Sequence, residues 1–91
     1  MSDDTQLIVS ELVTNALTAS AGSLSPIGLW VLSDGRHVLI LVSDGSPHPP
    51  VRMNPDFVTD GGRGLMLVEA IAGKWDWYAI PQGKVVWAIC G

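Results

Sequence analysis

From Asp3 to about Ala21 the chain carries neither Gly nor Pro, and Ile8, Leu12, Ala16 and Ala19 recur at helical spacing with Leu7 and Leu17 beside them. Ser2, Asp3 and Asp4 offer an N-cap and first-turn carboxylates that suit the helix dipole, and Gly22 supplies a stop. Two apolar runs follow, IGLWVLS and HVLILVS, separated by Asp34-Gly35, the signal of a two-residue hairpin turn. Both runs are nearly continuous in apolar residues, which predicts strands well inside a sheet. The second ends at Asp44-Gly45. A stretch rich in Pro, Asp and Gly then extends from Ser46 to Gly62, too long for a plain turn and typical of a lid or binding loop. Helical character resumes in RGLMLVEAIA and stops at Gly73. Two last strands, about Trp75–Ile80 and Lys84–Ile89, flank a Pro81–Gly83 turn. The order predicts an α+β fold with helices on one face of a mainly antiparallel sheet.

Ninety-one residues make one domain, 1–91, and a chain this short buries only about 60% of its unfolded surface. Yet 47% of its residues are hydrophobic, only 15% are charged and its mean hydropathy is +0.33. Either the fold is unusually well covered, or some apolar surface is meant for a partner chain. A net charge of −4 and five scattered basic residues (Arg36, Arg52, Arg63, Lys74, Lys84) argue against nucleic acid. The single Cys90, beside the C-terminus, excludes an internal disulfide and makes a poor reactive thiol. MSDDTQ has no signal-peptide pattern and no apolar run reaches the roughly 18 residues of a membrane span, so the expectation is a cytoplasmic protein without a membrane role.

Three features carry candidate chemistry. Glu11 and Asn15, in ELVTNAL, lie one helical turn apart on one face, where a carboxylate and a carboxamide could hold a metal and position a hydroxyl. Alone, the pair is weak, and a solvated stripe is the more ordinary reading of it. Asp44, in LVSDGSP, emerges from an apolar strand and could accept a hydrogen bond from an exocyclic amine; Asp-Gly-Ser-Pro is also good turn chemistry. Gly61-Gly62-Arg63-Gly64 leads into a helix, where backbone N–H groups bind anions, though such a segment also serves as a hinge. The four tryptophans read as sheet-face packing, with Trp75 and Trp77 on the same side, and His37 and His48 as surface residues.

Order and spacing together are more specific than the pieces. ELVTNAL resembles the N box of the GHKL (Bergerat-fold) ATPases, VSDGSP the box whose Asp recognises adenine, GGRGLMLVEAIA the second glycine box and GKVVWA the last strand. The wording is closest to the anti-sigma-factor serine/threonine kinase-like proteins of actinobacteria, from about Leu7 to Ile89. The resemblance implies a two-layer α/β sandwich with a mixed, mostly antiparallel sheet, binding ATP and Mg²⁺ beneath a lid over about 46–62. In it Asn15 would coordinate Mg²⁺, Glu11 would be the general base and Asp44 would accept from the adenine amine. Gly61, Gly62, Arg63, Gly64 and Leu65 would form the phosphate-binding segment, with backbone N–H groups after Gly62 and Gly64 cradling phosphates. Arg63 would add charge there or cap the lid at the surface.

The chain also departs from that pattern. Leu17-Thr18-Ala19 lacks the basic residue usual after the Asn, Ser46 stands where a glycine is common, and Lys84 replaces a frequent Thr. Relatives carry a strand and a helix before the N-box helix, so the resemblance implies an N-terminally shortened fold with an unpaired sheet edge. From this follow a homodimer or a docked protein partner, and the resemblance to anti-sigma-factor kinases implies a sigma factor or anti-anti-sigma factor as that partner. The alternative is a non-catalytic interaction module that retains the fold with weak or no nucleotide binding.

Overall fold

Seventeen residues free of helix breakers form α1, Asp3–Ala19, with Asp3 and Asp4 in its first turn. Its buried positions, Thr5, Ile8, Leu12 and Ala16, step by three, four and four and so make one stripe. In this computed structural model the described residues are 3–21, 26–50 and 64–91. Gly22, expected to stop the first helix, lies outside them, as do Gly61, Gly62 and Arg63. The remaining elements are β1 (Gly28–Ser33), β2 (Val38–Asp44), α2 (Gly64–Ile71), β3 (Lys74–Ile80) and β4 (Gly83–Cys90). The strands form one sheet in the order β1-β2-β4-β3, and every pairing is antiparallel. The expected α+β class is thus present, with an antiparallel rather than mixed sheet among the described residues.

Cross-strand partners share a sheet face. One face carries Val38, Ile40, Val42 and Asp44 of β2 opposite Cys90, Ala88, Val86 and Lys84 of β4. Trp75 and Trp77 of β3 stand on that same face, opposite Ala88 and Val86. The α1 stripe closes over it: Ile8, Leu12 and Ala16 join Ile40, Val42, Val68, Val86, Ala88 and Cys90 in one cluster, flanked by Trp75 and Trp77. Residue α2 Val68 is fully buried, and the end of that helix is tied to β4 by Gly73 N–H donating to the Ile89 carbonyl at 2.9 Å. Each fully buried aliphatic side chain contributes roughly 1.5–3 kcal/mol of transfer free energy, so this two-layer interior is the main stabilising element.

The opposite sheet face is apolar too. Alternation places Trp30 and Leu32 of β1, Leu39 and Leu41 of β2, Trp87 and Ile89 of β4, and Tyr78 of β3 there. Among the described residues no helix covers them. The hydrophobic excess of the composition resides here and on β1.

Two expectations need correction. Among the described residues β1 is not inside the sheet but at its edge, and Leu29, Trp30, Val31 and Leu32 are 45–56% exposed. The packing role expected of Trp30 therefore fails, while Trp75 and Trp77 pack against the core as expected. A continuous apolar run signals a strand with two apolar faces, and it does not say whether anything covers them. The β1–β2 connection also has four residues rather than two, because Ser33 pairs with Val38. Asp34 makes the longer loop favourable: its Oδ1 accepts the amides of Arg36 (2.8 Å) and His37 (2.7 Å), and Gly35 takes φ +90°. These bonds hold the Asp34 carboxyl down at about 2, the His37 amide contributing most. The two-residue loop occurs instead at Pro81-Gln82, between paired Ile80 and Gly83.

Candidate functional site

Asp44 is the last residue of β2 and is only 3% exposed. Directly opposite, at the start of β4, stands Lys84, also 3% exposed. Lys84 Nζ lies 3.0 Å from Asp44 Oδ1, a buried ion pair with a hydrogen bond. The same Oδ1 accepts the Ser46 amide at 2.8 Å, an Asx-type turn that bends the chain away from the sheet. Gly83 allows the two ends to approach so closely: a Cβ there would collide with the Asp44 carbonyl oxygen and the Gly45 backbone. Its φ of +156° also favours glycine.

The loop after Asp44 is fastened to α1. Gly45 N–H donates to the hydroxyl of buried Ser20 at 3.0 Å, and Ser20 continues α1 through its amide bond to the Ala16 carbonyl at 2.9 Å. This contact fixes where the polar residues of α1 stand relative to Asp44. Asn15 lies five residues back along the chain and Glu11 nine, about 7 and about 13 Å along a helix rising 1.5 Å per residue. Both are half-buried, one position round from buried Leu12 and Ala16. The loop after Asp44 is thus tied to the C-terminal end of α1, and Asn15 and then Glu11 stand progressively further back along that helix.

α2 packs against α1. The backbones of Gly64 and Leu65 lie in its first turn, where N–H groups have no intrahelical acceptor. The remaining members of the expected phosphate segment, Gly61, Gly62 and Arg63, fall outside the described residues, as does 51–60 of the expected lid. Ser46, the departure from glycine, is buried; its amide serves Asp44 and its hydroxyl accepts the His48 amide at 3.3 Å.

Chemically, the arrangement offers a buried carboxylate with an ammonium beside it at one end and a carboxamide and a carboxylate at the other. Among the described residues no group of three His, Cys, Asp or Glu could hold a metal ion, so a cation here would depend on Asn15 together with ligand oxygens. A depression of about 510 Å³ lined by Leu32, Ser33, Asp34, His37, Leu39 and Ile89 lies at the opposite end of β2, remote from these groups. Cys90 is buried in the core, and desolvation raises its thiol pKa, with Asp4 adding to the rise and a Thr5 hydrogen bond opposing it.

Ser20 has no role in the expected site, and Lys84 stands there only as the loss of a hydroxyl. Ser20 carries no signal beyond being a hydroxyl at a helix end. For Lys84 a signal exists: a lysine flanked by Gly and a run of six apolar residues is out of place on a strand unless a carboxylate meets it.

A family model described as a histidine kinase-like ATPase domain matches residues 1–90. No curated protein and no solved structure matches the chain.

Proposed function

The chain belongs to the histidine kinase-like ATPase family, and we propose that it binds ATP with Mg²⁺ along the Asp44–Asn15–Glu11 edge and phosphorylates a serine or threonine of a protein partner in transcription control. Family membership supports a kinase-like ATP-binding module. The observation that carries the reading further is the Ser20–Gly45 bond, because it sets Asn15 and then Glu11 at increasing distance from Asp44 along α1. Base, phosphates and acceptor of a nucleotide complex follow one another in that same order.

The residues fit their groups. Asp44 Oδ1 is occupied by the Lys84 ammonium and the Ser46 amide, and neither bond uses Oδ2, which accepts the exocyclic amine of adenine. Asn15 supplies one neutral oxygen to Mg²⁺, whose chemistry when bound is to neutralise phosphate charge; phosphate oxygens and water supply the remaining ligands. The first-turn amides of α2, at Gly64 and Leu65, face an anion, with Gly61, Gly62 and Arg63 just before them in the chain. Glu11 takes the proton of the incoming hydroxyl. By its resemblance to anti-sigma-factor kinases, the partner is a sigma factor or an anti-anti-sigma factor.

A phosphoryl-transfer assay on candidate partners tests the catalytic half. Wild type transfers phosphate, and Glu11→Ala, with unchanged circular dichroism, loses about 100-fold or more of the rate. Equal transfer by the two proteins would remove Glu11 from its role. A second reading, a non-catalytic module that works by docking, is favoured by β1, whose exposed Leu29, Trp30, Val31 and Leu32 lie on a strand that has a single neighbour among the described residues. A second copy pairing there would form the homodimer. Sedimentation at micromolar concentration gives a dimer under that reading and a monomer against it.

A further inference from the structure

The sheet face turned away from α1 carries two rows of side chains that run across all four strands. Register sets Trp30, Leu41, Trp87 and Asp76 in one row and Leu32, Leu39, Ile89 and Lys74 in the next. Each row is apolar over three strands and ends in a charge on β3. Trp30 is 52% and Leu32 56% exposed, so the β1 end of both rows is open to contact. We propose that a second copy of this chain packs on this face, sheet against sheet, about a twofold axis that crosses the strands between the two rows.

Such an axis lays each row on the other row of the partner. Trp30 meets the partner's Leu32, Leu41 the partner's Leu39 and Trp87 the partner's Ile89. At the rim Asp76 meets the partner's Lys74, and Lys74 the partner's Asp76. Large side chains over smaller ones interdigitate as the inner faces of packed sheets do, and opposite charges fix the register. A twofold axis along the strands instead sets Trp30 and Leu32 on the partner's Asp76 and Lys74, which buries charge against apolar groups and is disfavoured.

The relief of the face agrees with the first axis. The Trp30 indole leans along β1 over Gly28, where a Cβ would lie 2.5 Å from its Cη2, and so points away from the Leu32 row. Beyond the Leu32 row, toward the β1–β2 loop, lies the depression of about 510 Å³ lined by Leu32, Ser33, Asp34, His37, Leu39 and Ile89. Indole and depression stand on opposite sides of the axis, so the twofold carries each indole to the partner's depression. The body is 17 Å thick and 37 × 32 Å across, broad enough for the roughly 800 Å² per partner that a standard interface buries. The helix-covered face, with Asp44 and α1, takes no part, so this pairing stands apart from nucleotide binding. It also differs from a joining of β1 edges, which does not involve β3.

The test is sedimentation of the full chain at micromolar concentration, for wild type, Lys74→Asp, Asp76→Lys and the double exchange Lys74→Asp/Asp76→Lys. Both positions are exposed on β3, so the variants keep the fold, which circular dichroism verifies. Wild type is a dimer. Each single reversal sets like charges against each other at both symmetry-related contacts and raises the dissociation constant by roughly tenfold or more. The double exchange restores opposite charges and returns the constant to within about threefold of wild type. A monomeric wild type would overturn the proposal. So would a dimer indifferent to the single reversals, which is the result that joining of β1 edges gives. A double exchange as weak as the singles would overturn it too.

Discussion

Lys84→Met keeps the stem of the side chain and deletes its charge, which leaves the Asp44 carboxylate buried with the Ser46 amide as its remaining observed partner. Breaking a buried pair in this way costs about 3–5 kcal/mol, because the surviving charge has lost its counter-ion without regaining water. The remaining amide bond argues for the lower half of that range. A 91-residue domain has roughly 5–14 kcal/mol of total stability, so the loss is a large fraction of it. With a urea slope of about 2 kcal/mol per molar, the unfolding midpoint falls by about 1.5–2 M. Asp44→Asn strands the ammonium in the same manner. The double variant Asp44→Asn/Lys84→Met holds no uncompensated charge, and its cost falls short of the sum of the singles by about 2 kcal/mol or more. Urea unfolding followed by tryptophan fluorescence measures all four proteins, since Trp75 and Trp77 pack against the core. Single variants costing under about 1 kcal/mol, or a double variant that is additive within about 0.5 kcal/mol, would refute the buried pair.

Ser20→Ala removes the acceptor of the Gly45 amide and loosens the joint between α1 and the Asp44 loop; stability falls by about 1–3 kcal/mol in urea unfolding, and ATP affinity falls although no ligand contact is lost. Gly83→Ala places a Cβ against the Asp44 carbonyl and forces φ +156° on an alanine, costing at least about 1–3 kcal/mol by thermal unfolding. Asp34 has a folded-state pKa of about 2, below its ordinary 3.8, so its stabilising effect is fully present above pH 4 and is lost as pH falls toward 2. Asp34→Asn lacks that titration: the stability gap between wild type and variant closes across this window, whereas a gap unchanged from pH 6 to pH 2 would show that the turn does not depend on the charge.

The elements were legible because their signals are local. The stripe of Ile8, Leu12 and Ala16 sets the face of α1, and Trp75 and Trp77 share a side of β3 through simple alternation. Asp44 was legible as a strand-end carboxylate, and Glu11 and Asn15 as a helical pair. The parts that escaped are those decided by which strand lies beside which. Edge or interior is a property of sheet order, so the apolar run of β1 could not disclose that it ends the sheet. Lys84 meets Asp44 across forty residues of sequence because β4 inserts between β2 and β3. Ser20 matters only because the loop after β2 returns to the end of α1. In the hairpin, the Asp34 side chain outweighed the two-residue preference of Asp-Gly by satisfying two amides at once.

The most direct measurement of the central claim is ATP titration by calorimetry, with and without Mg²⁺, on wild type and Asn15→Ala. Asn15 suits this better than Asp44, whose replacement strands the Lys84 charge and confounds binding with folding. The account predicts saturable binding that Mg²⁺ strengthens in wild type, and weaker binding with little Mg²⁺ dependence in the variant. Absence of binding by folded wild type, or identical Mg²⁺-dependent binding by the two proteins, would contradict it.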